Sequence, residues 1–200
     1  MDTLDYILKK YDITLTENQY IVPIGWSRWR AMPRLFRELG FTKGAEIGVF
    51  KGSFTLYLTL FNPKLHLFGI DSWTKYDGYN DNITAELDEN TFTEAQTRVS
   101  GRNVTLIKAT SMEAVKQFED ESLDFVFIDA NHDTEHVSED IAAWSKKVRK
   151  GGLVCGHDYV KSARFPFGVI EAVDTWCDTN KIKPLFIWKD RCPSWMYVKM

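Results

Sequence analysis

This 200-residue chain has few cysteines, no basic block and no long apolar run, and each absence excludes a class. Cys155, Cys177 and Cys192 are an odd number with no close pair, so they do not form a disulfide framework. Cys155 lies inside an apolar run, as a buried thiol would, and this favours a reducing compartment. No apolar run approaches the ~18 residues of a membrane span. The first residues, Met1-Asp2-Thr3-Leu4-Asp5-Tyr6, are acidic where a secretory signal would be basic, so the expected location is the cytoplasm. Formal net charge is -3. The densest basic cluster, Lys146-Lys147-Val148-Arg149-Lys150, closes a predicted helix, where cations complement the helix dipole. Neither nucleic acid nor membrane is therefore an expected partner, and a homo-oligomer is left open. Internal repeats and low-complexity tracts are absent too. What is present is an ordinary globular balance, 44% hydrophobic and 26% charged, in a length that suits one α/β domain with a sizeable core.

The order of elements is legible from periodicity. Asp2 or Thr3 caps a first helix carrying Leu4, Ile7, Leu8 and Tyr11 at helical spacing. A loop with Pro23 and Gly25 follows, then a second helix that stops at Gly40. Beyond it, predicted strands at 44–49, 65–70, 104–108, 123–128 and 152–155 alternate with helices at 53–61, 91–99, 111–119 and 135–149. Runs such as Phe125-Val126-Phe127-Ile128 suit strands covered on both faces. This alternation predicts a doubly wound, mostly parallel sheet. A helix near 168–179 and a hairpin of 185–188 with 195–198 complete it. The expected division is a helical extension over 1–40 and a cofactor-binding domain over 41–200. The irregular stretch 72–90 is either a substrate lid containing Trp73, Tyr76 and Tyr79 or a solvated loop.

Gly44-Ala45-Glu46-Ile47-Gly48-Val49-Phe50-Lys51-Gly52-Ser53 is the most informative stretch: a short strand, a glycine turn and a helix start. Gly48 and Gly52 allow backbone to approach a ligand with no Cβ in the way. The following strand ends on Asp71, placed to accept hydrogen bonds from ribose hydroxyls. The dinucleotide pattern G-x-G-x-x-G is missing. In its place stands Glu46-x-Gly48-x-x-x-Gly52, whose acid would repel a pyrophosphate and suit the cationic amino-acid group of S-adenosylmethionine.

Glu46-Ile47-Gly48-Val49-Phe50-Lys51-Gly52 resembles the first motif of class I S-adenosylmethionine-dependent methyltransferases, and Leu123 through His132 resembles their fourth. Gly151-Gly152-Leu153-Val154-Cys155-Gly156-His157-Asp158-Tyr159 is similar to the fifth-strand motif of one bacterial small-molecule subgroup, methyltransferase-domain family 24. The resemblance covers about residues 40 to 200. It implies a seven-stranded Rossmann-like methyltransferase sheet with an antiparallel final strand. It further implies methyl transfer to a small molecule, most readily at a hydroxyl oxygen. Glu46 and Gly48 would flank the methionine moiety, Gly52 would pass beneath the cofactor, and Asp71 with Ser72 would meet the nucleoside. Thr110 and Ser111 resemble the segment that borders adenine, although Ser111 also reads as a helix N-cap.

Asp129 and His132 follow one predicted strand and His157 and Asp158 its neighbour, so the four can converge. Methyl transfer needs in-line alignment and help in deprotonating the acceptor, a task suited to His157 or His132. Alternatively, Asp129 and Asp158 hold a divalent cation. By position these acids resemble two metal ligands of catechol-type O-methyltransferases. His157 stands where that group has an acid, which speaks against a purely oxygen-ligated Mg²⁺ site, and a histidine-containing set suits Mn²⁺ or Fe²⁺ as well; the alternative is that Asp129 contacts only the cofactor and Asp158 caps a turn. Three other readings use the same residues. His132-Asp133-Thr134-Glu135-His136 matches the zinc-peptidase pattern H-x-x-E-H. The cofactor motif would serve equally in a binding protein without transferase activity, or, less well, in an NAD-dependent oxidoreductase. Arg28, Trp29 and Arg30 could cover the acceptor pocket or simply pack, and Arg164-Phe165-Pro166-Phe167-Gly168 could border it or be an ordinary loop.

Overall fold

Consecutive apolar residues at 125–128 arise because alternate side chains of one central strand enter two different cores. Phe125 and Phe127 enter one hydrophobic cluster, Val126 and Ile128 the other, with the period of two that a strand imposes. The computed structural model describes residues 2–17, 19–74, 89–161 and 167–200. Its elements are α1 (Thr3–Lys10), β1 (Ile21–Ile24), α2 (Arg28–Glu38), β2 (Lys43–Ile47), α3 (Ser53–Phe61), β3 (His66–Asp71), α4 (Glu89–Arg98) and β4 (Val104–Lys108). They continue with α5 (Ser111–Ala114) and a 3-10 turn at Val115–Gln117, then β5 (Leu123–Ile128), α6 (Thr134–Lys147), β6 (Val148–Gly156), α7 (Val169–Thr179), β7 (Leu185–Trp188) and β8 (Ser194–Val198).

The sheet order is β1-β7-β8-β6-β5-β2-β3-β4. β8 runs antiparallel to β6 and β7, and the other neighbours are parallel. The expected doubly wound sheet with an antiparallel last strand is therefore present, with eight strands in place of seven. The additional strand is β1, which lies where a Pro- and Gly-marked loop was expected. It pairs with β7, Ile21 opposite Leu185. Pro23 is tolerated because β1 is an edge strand, and Val22 and Ile24 turn inward while Ile21 and Pro23 face out. The predicted helix at 111–119 is also shorter, one α-turn followed by the 3-10 turn.

α1 and α2 share the core of the rest. Ile7, Met32, Leu35 and Phe36 are fully buried and belong to the cluster that holds Phe125, Leu153 and Phe186. Phe36 lies 4.2 Å from Phe125, centroid to centroid. On the opposite face α6 and α7 contribute Ile141, Trp144 and Val173. Strand order reverses between the parallel neighbours β2 and β5, and in sheets of this kind that crevice, outside the strands' carboxyl ends, is where ligands bind. Among the described residues, no helix is long and apolar enough to cross a membrane.

Phe36→Ala is expected to cost about 3–5 kcal/mol. Urea unfolding followed by circular dichroism and by tryptophan fluorescence should show one transition shifted as a whole. A separate early transition would mean that the N-terminal segment folds independently.

Candidate cofactor and acceptor site

A cavity of about 900 Å³ runs across the carboxyl ends of five neighbouring strands. In sheet order it is lined by His157 and Asp158 after β6, Asp129 to His132 after β5, Glu46 to Lys51 at β2, Asp71 and Ser72 at β3, and Ala109 to Met112 after β4. Four strand spacings amount to about 19 Å, so the site suits an elongated ligand.

Gly48 sits at φ +91°, a conformation that favours glycine, and a Cβ there would run into the carbonyl of Asp129. The β2 and β5 loops thus touch backbone to backbone, and the Asp129 N–H donates to the Ile47 carbonyl at 2.7 Å. Gly52 caps α3 in the left-handed region and faces Ala95 of α4, away from the cavity lining. Its contribution is to the turn and not to the cavity wall.

Asp71 ties two loops together. One carboxylate oxygen accepts from the Phe50 N–H and the other from the Trp73 N–H, both at 2.8 Å. Phe50 (φ 50°) and Trp73 (φ 45°) are both left-handed, unusual for bulky residues. The Trp73 indole N–H donates to the Phe50 carbonyl at 2.8 Å, which closes the arrangement. Trp73 is fully buried against Phe92, Val49 and Ala95. It is a core residue, which corrects its expected part in a substrate lid. Tyr76 and Tyr79 lie outside the described residues, as do Arg164, Phe165 and Pro166.

Glu46 is buried and accepts from the Thr55 hydroxyl at 2.6 Å. Burial raises its pKa to about 8, against the lowering effect of that hydrogen bond. Glu46 is therefore largely protonated at neutral pH. Ser72 lines the wall, its hydroxyl turned to the Thr74 carbonyl at 2.9 Å. Thr110, and not Ser111, is the N-cap of α5, in a reciprocal capping box with Glu113. That leaves the Ser111 hydroxyl to donate to Asp140 while it accepts from the Trp144 indole at 2.8 Å.

At the other end the four expected groups do converge. His132 Nε2 lies 3.0 Å from Asp158 and 3.6 Å from Asp129; His157 Nδ1 lies 3.2 Å and 3.4 Å from the same two acids. Burial opposes protonation of His157, but Asp129 and Asp158 outweigh it and raise the imidazole to about 9. Burial pushes the two acids the other way, yet the histidines hold both well below the usual carboxylate range. Asp158 is itself left-handed at φ 53°, a conformation that aspartate tolerates better than most residues. Arg28, at the start of α2, reaches in with Nη1 3.5 Å from Asp129, its guanidinium over the rings of Trp29, Phe54 and Phe127. Trp29 also lines the cavity, whereas Arg30 is exposed. Phe167 packs on His132 with ring centroids 4.8 Å apart.

His132 and His136 do not form a joint site. His132 is in the loop beside Asp158, whereas His136 is in the first turn of α6 with Nδ1 2.7 Å from Asp133. Thr55, Asp140 and Glu139 are lining or supporting residues that sequence reasoning missed. The signal for Asp140 was an acid inside the apolar stripe Val137, Ile141, Trp144. Thr55 carried none, because it lies one turn into an apolar helix.

An acid–glycine turn at a switch point, an acid ending the next strand and a histidine–aspartate cluster beside them fit a class I S-adenosylmethionine-dependent methyltransferase. Residues 45–159 match the model of a methyltransferase-domain family, and the chain belongs to that family. A solved structure assigned as a caffeoyl-CoA O-methyltransferase from Staphylococcus aureus is similar at 13% identity and TM-score 0.65, covering 98% of this chain and 90% of that one. The O-methyltransferase from Bacillus cereus in complex with SAH is similar at 14% identity and TM-score 0.62, with 98% and 90% covered. At these identities the likeness is one of fold. No curated protein sequence matches the chain.

Glu46 gives a pH test. An acid whose folded pKa exceeds its unfolded value binds its proton more tightly when folded. Its contribution is full below the ordinary value of 4.5 and is lost as pH rises toward about 8. The urea midpoint of the wild type should therefore fall more steeply than that of Glu46→Gln between pH 5 and 8. Parallel curves would mean that Glu46 is already ionised in the fold.

Proposed function

We propose that this methyltransferase acts on a hydroxyl oxygen of a small molecule, such as a sugar or another secondary-metabolite hydroxyl. The observation that carries this reading is the convergence of Asp129, His132, His157 and Asp158 next to the Glu46–Gly48 turn. Sheet order supports the following pose. The methionine moiety lies over Glu46 and Gly48, where the positive charge of its ammonium favours ionised Glu46 and the Glu46 proton passes to solvent. The ribose meets Asp71 and Ser72, the adenine meets Thr110 and Ser111, and the methyl group points toward the β5–β6 cluster.

In the reaction the acceptor oxygen attacks the methyl carbon in line with the C–S bond. That bond breaks with its electron pair going to sulfur, and the acceptor proton passes to the cluster. His157 already carries a proton at neutral pH, so it accepts another only after losing that one. His132, between Asp158 and Phe167, is the nearer base.

A divalent cation fits the same residues. Ligand atoms of Asp129, His132 and Asp158 all lie within 4.8 Å of one another, close to the ~4.4 Å maximum across a centre with ~2.1–2.2 Å bonds. Mixed oxygen and nitrogen donors suit Mn²⁺ as well as Mg²⁺. Bound there, a cation would lower the pKa of the acceptor hydroxyl. Asp129 and Asp158 would hold it, and the His157 proton would be expelled.

Three outcomes test this. S-adenosylmethionine or SAH at a hundred times Kd should stabilise the fold by about 2.7 kcal/mol, a rise in melting temperature of roughly 5–11 °C; a shift with NAD alone would sink the cofactor site. His132→Ala should lower single-turnover methyl transfer by about 10²–10⁴-fold, and an unchanged rate removes its role as base. Mn²⁺ affinity, from calorimetry, should climb between pH 7 and 9 as His157 gives up its proton; a flat profile speaks against a cation at Asp129 and Asp158.

A further inference from the structure

We propose that Asp140 reads the adenine of the cofactor, its free carboxylate oxygen accepting a hydrogen bond from the exocyclic amino group. This rests on the cofactor reading above and names the residue that sets base specificity within it.

Asp140 is only 4% exposed, yet it lines the cavity at the β4 end, beside Ser111 and His136. It projects from α6 in the stripe of Val137, Ile141 and Trp144, where an apolar residue would pack better. A buried carboxylate is costly without compensating partners. Among the described residues no cation is salt-bridged to it, and its one hydrogen bond comes from the Ser111 hydroxyl, on Oδ1. That hydroxyl has a single proton, already committed to Asp140, and it accepts the Trp144 indole N–H. Two side chains thus fix the direction of Ser111, and Ser111 fixes Asp140. Oδ2 accepts from none of the described residues, so packing alone does not account for this acid.

The sheet decides which part of the ligand arrives there. With the amino-acid end over β2 and the ribose over β3, the base falls beside the β4 loop, against α6. An ionised carboxylate only accepts hydrogen bonds. Adenine presents a donor, its amino group, on the edge opposite the sugar. Hypoxanthine presents an acceptor, O6, at the same place, and two acceptors in contact leave both unsatisfied. Burial, partly offset by the Ser111 hydrogen bond, raises Asp140 to about 7. A donor on Oδ2 favours the ionised form.

The experiment compares calorimetric binding of S-adenosylhomocysteine and S-inosylhomocysteine to the wild type, Asp140→Asn and Ser111→Ala. At pH 9, where a carboxyl raised to about 7 is ionised, the wild type should prefer the adenosine compound by on the order of 100-fold, the scale of leaving a buried acceptor unsatisfied. In Asp140→Asn, whose amide can donate to O6, that ratio should shrink at least tenfold, chiefly through tighter binding of the inosine compound. Ser111→Ala keeps the carboxylate but releases its orientation, so it should narrow the ratio to a smaller extent and serves if Asp140→Asn does not fold. No preference in the wild type, or a ratio untouched in the folded variants, overturns the proposal while leaving the cofactor site intact. Binding of neither compound to the wild type would instead overturn the cofactor reading, and this proposal with it.

Discussion

The Asp71 carboxylate is the constraint on which the β2–β3 side of the cavity depends. It spans the gap between the β2 and β3 loops by accepting one backbone N–H from each, at Phe50 and at Trp73. Both donors are bulky residues in left-handed backbone, a conformation that persists only when its surroundings fix it. The Trp73 indole then locks onto the Phe50 carbonyl beneath. A carboxylate oxygen has more than one lone pair, so the same acid can hold the loops and still face a ribose.

The β5–β6 end of the cavity is organised by charge. Two acids, two histidines and an arginine meet in a space from which much of the water is excluded, and each shifts the others. The result is a depressed pair of carboxylates and a protonated His157 at neutral pH. Such a cluster responds to whatever enters it, since a cation or an acceptor hydroxyl changes which proton is held. Arg28 brings the N-terminal segment into this balance. The segment also completes the core through Phe36 and widens the sheet through β1. It is part of the site as well as an extension of the fold.

Elements with strong periodicity and a clear boundary were legible. β4, β5 and α3 have the predicted ends, because an apolar run between turn residues admits few alternatives. Elements whose local signal opposed their tertiary role were not. Pro23 and Gly25 suggest a loop, and only pairing with β7 makes Ile21–Ile24 a strand. Trp73 looked like a lid residue because its neighbours are polar, yet its ring is buried under α4. Ser111 looked like a cap, and Thr110 one residue earlier took that place with Glu113.

The amino-acid sequence by itself determined the succession of strands and helices, the acid–glycine turn and the two strand ends that carry Asp129 and Asp158. These are short-range matters of periodicity, turn chemistry and the parity of strands. Tertiary structure alone decided which side chains share the cavity. Arg28 meets Asp129 across 101 positions, and Ser111 meets Asp140 across 29. It also set the protonation of Glu46, Asp140 and His157, since burial and the nearness of other charges, which no local pattern encodes, move a pKa.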